Sequence, residues 1–221
     1  MISVDLLDAL TALSGITAEQ WGLLTTEQAD HVGVDSHTLD TLARSGLLEA
    51  TEAHVFRLSG APLPPHLDIK VAWLQMNPDT PAWQRLDGTS GAISHSSACR
   101  LHGLGDLPIG TVEVFGDASR PAGPGVRVHL GLGPTPAQIT VIDGLPVTTA
   151  ARTVVDLLHA GQDGGHVGGV MADAMRLGLV QPHELAEQVS AFTRAYGLPT
   201  SASGHDLIRL LLADASESLQ P

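Results

Sequence analysis

The chain has 221 residues, and its 11 Lys and Arg residues against 24 Asp and Glu residues give a net charge of −13 at pH 7. A single cysteine, Cys99, excludes an internal disulfide, and no basic start followed by an apolar run marks a signal peptide or a membrane span. We therefore expect a cytoplasmic protein that does not associate with membranes and is long enough for two domains.

The first predicted elements are short helices. Apolar residues recur at helical spacing over residues 3–14, and a further helix start follows at Thr17. Thr25 and Gln28 then have the spacing of a capping box, in which each side chain bonds the backbone N–H of the other residue. A helix is therefore expected to begin near Thr26.

A second start signal follows at once. Asp35 and Ser36 precede apolar residues at helical spacing, and Gly46 is expected to end this helix. Residues 47–48 and 55–58 are typical of two strands joined by a hairpin. Two short helices with a glycine turn, followed by a hairpin, predict a winged helix-turn-helix.

A proline-rich segment at residues 59–65 follows, and proline interrupts both helices and sheets. We place the domain boundary there. The predicted fold is α+β, with an N-terminal winged helix-turn-helix domain over residues 1–61 and a second domain over residues 66–221.

The second domain is predicted to combine a small antiparallel sheet with several helices. Asp143-Gly144 between two apolar runs is a strong hairpin signal. Strands are expected at residues 111–115, 125–130, 139–142 and 145–147. Helices are expected at residues 66–76, 94–102, 148–158, 166–177, 182–196 and 204–213, with a polar tail from Asp214.

Three strings of residues carry a family resemblance. Residues 22–49 have the frame GLLTTxQAxxxGVxxxTLxxLxRxGLLE, and a hairpin ending in Phe-Arg-Leu follows. Together with residues 101–108 and residues 143–157, this frame resembles the AbiEi-family antitoxins of type IV toxin–antitoxin systems. The similarity covers most of the chain, across both predicted domains.

The resemblance implies a function for each domain. The first would repress its own operon by binding operator DNA, and the second would counter a nucleotidyltransferase-type toxin, directly or indirectly. The second helix would place its N-terminal residues at base edges in the major groove, while the start of the first helix would meet a phosphate. The candidate DNA contacts are Thr26, Ser36, His37, Thr41, Arg44 and Arg57.

The charge of the first domain opposes this function. Up to residue 64 the sequence contains only Arg44 and Arg57 against nine acidic residues, a net charge of −7. DNA binding normally uses several Lys or Arg residues to neutralise phosphates. The alternative hypothesis is an acidic, antitoxin-like protein that acts through a protein partner without binding DNA.

A second alternative is a metal-dependent enzyme. His95, Cys99 and His102 have helical spacing that puts them on one face, where they could bind Zn²⁺. We favour packing roles, because the only further ligand nearby is Asp106, which follows a glycine break. We expect no bound metal or cofactor, and the absence of common catalytic motifs indicates that the protein is not an enzyme.

One ion pair is also predicted. Arg152 and Asp156 are four residues apart on a helix, where an exposed pair contributes only about 0.3–0.5 kcal/mol. If the pair has a larger role, we expect it to bond the hairpin backbone near Leu145.

Overall fold

The computed structural model describes residues 4–51, 54–108, 110–116 and 123–218. The first part of the chain forms α1 (Val4–Glu19), β1 (Leu23–Thr25), α2 (Thr26–His31), α3 (Ser36–Arg44), β2 (Leu48–Ala50) and β3 (Val55–Leu58). Its strands make an antiparallel sheet in the order β1-β3-β2. The predicted hairpin is therefore present as β2 and β3, and β1 adds a strand that the sequence pattern did not predict.

The first helix is longer than predicted. A new start was expected at Thr17, but α1 continues through this residue to Glu19. Thr17 is buried, and its hydroxyl donates to the carbonyl of Leu13 one turn back (3.1 Å). Because the threonine satisfies its hydroxyl within the helix, it does not cap a new one.

The start signals of the next two helices are confirmed. Thr25 caps α2, and Gln28 completes the capping box with a bond from the Thr25 backbone N–H (3.2 Å). Asp35 caps α3 by accepting the backbone N–H of Thr38 (2.8 Å). Gly46 follows the end of α3 with a φ of +76°, a conformation that glycine adopts without strain.

The rest of the chain builds a second sheet with helices around it. Its elements are α4 (Leu67–Met76), β4 (Ala92–Ile93), α5 (His95–His102), β5 (Val112–Phe115), β6 (Val126–His129), β7 (Ile139–Ile142), β8 (Leu145–Thr148), α6 (Ala150–His159), α7 (Gly164–Arg176), α8 (Pro182–Val189) and α9 (Gly204–Ser218). Short 3₁₀ helices lie at Ala82–Gln84, Pro136–Gln138 and Ser190–Tyr196.

The second sheet is mixed, and the prediction of an antiparallel sheet was wrong in this respect. The strand order is β6-β5-β4-β8-β7, with β5 parallel to β6 and β4 parallel to β8. The unpredicted strand β4 is only two residues long, yet it joins the β5–β6 pair to the β7–β8 hairpin. The parallel β4–β8 pair joins strands that are far apart in the sequence, with β5, β6 and β7 between them.

The proline-rich segment separates the two parts in sequence, but they share a core. Leu23 and Val55 of the first sheet lie in one apolar cluster with Ile69 and Trp73 of α4 and with residues of the second sheet. The backbone N–H of Ala82 also donates to the side chain of Gln20 (2.8 Å). The first sheet is therefore packed on α4 across the predicted boundary.

The β7–β8 turn makes a further contact between the two parts. Trp21 donates its indole N–H to the carbonyl of Asp143 (2.9 Å), and the Asp143 carboxylate pairs with Lys70, whose side chain is fully buried. The lysine ammonium also lies 5.2 Å from the centre of the Trp21 ring. Asp143 and Gly144 both have positive φ angles, which confirms the predicted hairpin turn.

The C-terminal helices differ from the prediction in their limits. Helix α7 starts at Gly164, two residues early, because Asp163 accepts the N–H groups of Gly165 and His166. The single helix predicted over residues 182–196 ends at Val189 and continues as a 3₁₀ helix, and α9 extends beyond Asp214 to Ser218. Among the residues that the structure describes, no helix combines the length and apolar character needed to cross a membrane.

Candidate functional site

Helix α3 carries four of the predicted DNA contacts on one element. Ser36, His37 and Arg44 are exposed, and Thr41 is half-buried. The Arg44 guanidinium bends back onto its own helix, where Nε donates to the carbonyl of Asp40 (3.2 Å) and Nη2 to the hydroxyl of Thr41 (3.3 Å). These bonds keep the Arg44 guanidinium close to α3, on the exposed side of the helix.

The start of α3 carries a negative charge. The Asp35 carboxylate accepts hydrogen bonds from Thr38, and these bonds lower the pKa of Asp35 below its usual value. The carboxylate therefore already occupies the positive end of the helix dipole. A phosphate that approached Ser36 and His37 would meet this charge at short range.

The two remaining predicted contacts lie elsewhere and are partly occupied. The backbone N–H of Thr26 donates to the carbonyl of His54 (3.0 Å). Arg57 lies directly opposite Glu49 in the β2–β3 register, forms a 2.6 Å ion pair with it, and also donates to the carbonyl of Ala61. Its side chain is only 14% exposed. Arg57 therefore has its charge balanced within the hairpin, which its place in the sequence did not reveal.

A second group of polar side chains lies at the second sheet. We call His95, Glu113, His129, Arg152 and Asp156 the polar cluster. Glu113 is buried, and one carboxylate oxygen accepts from both the backbone N–H and the hydroxyl of Ser96, while the other lies 3.1 Å from Nε2 of His129. Burial by itself would raise the pKa of Glu113, but the hydrogen bonds from Ser96 and His129 outweigh it and hold the pKa low. This carboxylate therefore remains charged.

His95 contacts the rest of the polar cluster through His129. Its ring stacks on His129 with centroids 3.6 Å apart, and its Nδ1 lies 2.9 Å from the hydroxyl of Ser94. Burial, together with the neighbouring His129, lowers the pKa of His95 to about 4. Its φ of +50° is rare for a residue other than glycine. The buried ring is therefore neutral near pH 7 and is held in an unfavourable backbone conformation by its contacts.

Arg152 joins the cluster to the loop before β7. Its guanidinium bonds Asp156 (2.7 Å), Gln138 (2.9 Å) and the carbonyl of Leu132 (3.0 Å), and it lies over the ring of Phe115. The predicted ion pair exists, but the expectation that it is exposed was wrong, because Asp156 is only 2% exposed. The contact expected near Leu145 is replaced by contacts with Leu132 and Gln138.

The polar cluster links the second sheet to α6, since Arg152 of α6 lies over the ring of Phe115 in β5. Glu113, Arg152 and one oxygen of Asp156 are bonded to neighbouring groups of the chain, whereas Oδ2 of Asp156 is buried without a hydrogen-bond partner among the described residues. Sequence reasoning missed Glu113 and His129 because the β5–β6 register, which puts Phe115 beside His129 and Glu113 beside Arg127, was not predicted.

The three residues considered as metal ligands have separate environments. Cys99 is completely buried, and burial raises the pKa of its thiol to about 12. Nε2 of His102 lies 2.8 Å from the carbonyl of Thr148, whereas His95 stacks on His129. Over the described parts of the chain, no three His, Cys, Asp or Glu side chains are grouped so that they could hold a metal ion.

Replacing Asp156 with asparagine is expected to change how stability depends on pH. Burial, against the opposing effect of Arg152, raises the pKa of Asp156 to about 6 from 3.8. The folded state then binds the proton more tightly than the unfolded state does. Above about pH 6 the ionised carboxylate lowers the free energy of unfolding, and this loss becomes smaller as the pH falls and the carboxylate is protonated. Between about pH 7.5 and 4.5 the wild type should gain about 1–2 kcal/mol relative to Asp156→Asn.

Urea unfolding of both proteins over this pH range measures the difference. His95 contributes the opposite trend, since its lowered pKa removes stability as the pH falls below about 6.5, but it does so in both proteins and cancels. Asp206→Asn is the control, because hydrogen bonds from Ser203 lower the pKa of Asp206 to about 2 and predict the opposite sign. Parallel pH profiles for wild type and Asp156→Asn would contradict the assignment.

Comparison with known proteins bears on the fold. The sequence matches no protein-family model and no curated protein. Its structure is similar to the one described as "Crystal structure of RV2827C protein from Mycobacterium tuberculosis", with a TM-score of 0.51 and 15% sequence identity. The match covers 93% of this chain and 80% of that chain. At this level of identity, the similarity shows a shared α+β fold and nothing about activity.

Proposed function

We propose that residues 1–61 form a winged helix-turn-helix and that the protein is the antitoxin and transcriptional autorepressor of a toxin–antitoxin operon. The supporting observation is the succession of elements: α3 follows α2 after a short turn, and the β2–β3 hairpin comes directly after α3. In helix-turn-helix proteins the second helix enters the major groove. The exposed Ser36, His37 and Arg44 of α3 are side chains that can contact bases and phosphates.

The electrostatic part of this binding is small. Arg57 is paired with Glu49, so in the first part of the chain Arg44 is the cation placed to neutralise a phosphate. Each neutralised phosphate contributes a slope of about −0.9 to the dependence of log K on log salt, so we expect a slope near −1 per bound chain. Specificity then depends on short-range contacts of Ser36, His37 and Thr41.

The antitoxin part of the proposal derives from the sequence resemblance. In this proposal residues 66–221 counter a nucleotidyltransferase-type toxin, either by binding the toxin or by acting on its target. The polar cluster contributes by holding β5, β6 and α6 together, since Glu113 bonds His129 and Arg152 lies over the ring of Phe115. In this proposal the protein acts by binding and not by catalysis.

The charge of the first part supports a second candidate function. Its net charge of −7 and the carboxylate of Asp35 at the start of α3 oppose DNA phosphates. The second candidate is an acidic, antitoxin-like protein that acts through a protein partner without binding DNA. Its negative charge would attract a basic surface on that partner.

Titration of the DNA upstream of the gene tests the first proposal. Wild type should bind with a log K against log salt slope near −1, and Arg44→Ala should reduce the slope toward zero. If Arg44 meets a guanine, the substitution should also weaken binding by about 1–3 kcal/mol. Arg209→Ala is the matched control, because it removes the same charge from α9, where the arginine is 77% exposed and paired with Asp206. This control should bind DNA nearly as wild type does.

Absence of binding at low salt would overturn the repressor function and leave the protein-partner function as the better account. Co-expression with a nucleotidyltransferase-type toxin, the class of toxin that the resemblance implies, tests the antitoxin function separately. Arg44→Ala should still relieve toxicity if the second domain carries this activity. Failure of the wild type to relieve toxicity would overturn the antitoxin assignment.

A further inference from the structure

The stretch from residue 130 to residue 142 differs in charge from the rest of the chain. It contains no Asp, Glu, Lys, Arg or His, in a protein with a net charge of −13. It forms the loop after β6, the 3₁₀ helix Pro136–Gln138 and strand β7. Asp143, the acidic residue that follows β7 directly, is paired with Lys70. This part of the surface therefore repels another acidic molecule less than its surroundings do.

Among the residues that the structure describes, strand β7 lies at an edge of the second sheet, and no strand pairs with its outer side. It pairs with β8 on one side and is the last strand in the sheet order. The N–H of Thr149 donates to the carbonyl of Gln138, and hydrogen-bonded pairs alternate along an antiparallel ladder. Val141 is opposite Pro146, which has no N–H, and falls between two bonded pairs. The backbone N–H and carbonyl of Val141 therefore face away from β8.

The opposite edge of this sheet is protected, whereas β7 is not. Strand β6 carries Arg127, which is 64% exposed, and charged side chains on an edge discourage pairing with another strand. Strand β7 has the sequence Ile-Thr-Val-Ile, in which every residue is β-branched and none is charged. Such an edge is a template for a further strand.

Exposed apolar side chains lie next to this edge. Leu132 is 96% exposed, Leu130 61% and Val141 50%. Arg152 bonds both the carbonyl of Leu132 and the side chain of Gln138, so it holds the leucine loop close to the start of β7. The loop and the strand thus form one uncharged, partly apolar surface.

We propose that β7 is a dimerisation edge, at which a second copy of this chain pairs antiparallel to the first across a two-fold axis at Val141. The N–H of each Val141 would donate to the carbonyl of the other, which joins the two five-stranded sheets into one. An antiparallel edge is complementary to its own copy. Two chains of charge −13 also repel each other less where they meet through this uncharged surface than where acidic side chains face each other. This inference does not depend on DNA binding.

Sedimentation velocity of the full chain at increasing concentration tests the proposal. Wild type should shift from the mass of the 23.0 kDa chain toward twice that mass. Val141→Pro removes the outward N–H without removing a bond to β8, and Leu132→Glu places a charge on the apolar loop. Each should raise the dimer dissociation constant at least ~10-fold, equivalent to about 1.4 kcal/mol. Added salt should strengthen the wild-type dimer, since it screens the like charges.

Leu177→Glu is the matched control. Leu177 is 47% exposed and caps the end of α7, which packs mainly on α9, and the variant has the same net charge as Leu132→Glu. It should dimerise as the wild type does, and circular dichroism should show that all variants remain folded. A monomeric wild type at every concentration, or a dimer that Val141→Pro and Leu132→Glu leave intact, would overturn the proposal.

Discussion

Gly168→Val should lower the free energy of unfolding by about 3 kcal/mol or more. A Cβ atom at this position in α7 would lie 1.9 Å from the backbone carbonyl oxygen of Leu211 in α9. Since the obstacle is backbone, no side-chain rotation can relieve it, and the two helices must separate. Overpacking of this kind typically costs about 1–3 kcal/mol and more where backbone must move. Urea unfolding followed by circular dichroism measures the loss.

The neighbouring glycine provides the control. Gly169 lies in the same helix, and a Cβ atom there would contact nothing within 4 Å. Gly169→Ala should therefore raise stability by about 0.5–1 kcal/mol, because alanine loses less backbone entropy in a helix than glycine does. Equal losses from Gly168→Val and from Gly169→Ala would show that the close packing of α7 on α9 is wrong.

Gly144→Val should destabilise the protein by about 2–3 kcal/mol. Gly144 has a φ of +73° in the β7–β8 turn, where a residue with a Cβ atom is disfavoured by about 1–2 kcal/mol and a β-branched one by more. In addition, the new Cβ atom would lie 3.1 Å from the ring of Trp21, which donates its indole N–H to Asp143. The substitution thus strains both the turn and the contact between the two parts of the chain.

Gly178→Val separates these two effects. Gly178 has a similar φ of +70°, but a Cβ atom there would contact nothing within 4 Å. The difference in stability lost between Gly144→Val and Gly178→Val therefore measures the clash with Trp21. The midpoint of thermal unfolding should fall for both variants and fall further for Gly144→Val. An unchanged midpoint for Gly144→Val would mean that residues 143–144 do not form this turn.

The sequence was most informative where the physical cause is local. The capping box of Thr25 and Gln28, the cap at Asp35 and the Asp143-Gly144 turn each depend on groups within four residues of one another. Hydrogen bonds over such short separations form in nearly the same way whatever surrounds them. The starts of α2 and α3 and the β7–β8 hairpin were therefore predictable.

The candidate DNA contacts show where this reasoning stops. Ser36, His37 and Arg44 were predicted as contacts from their place in the second helix of the helix-turn-helix, and the structure exposes all three. Arg57 has the same side chain as Arg44, but the β2–β3 register sets it opposite Glu49 and balances its charge. Register depends on how two strands align, which neither residue specifies by itself.

The sequence by itself determined the helix caps, the tight turn, the acidic charge and the exposed face of α3, because each follows from residues close together in the chain. Only the tertiary structure decided the mixed strand order, the stacking of His95 on His129 and the burial of Asp156. Arg152 and Asp156 had the spacing of an ordinary surface pair. Packing removed them from water, and it is this loss of solvation, a property of the whole fold, that raises the pKa of Asp156 to about 6.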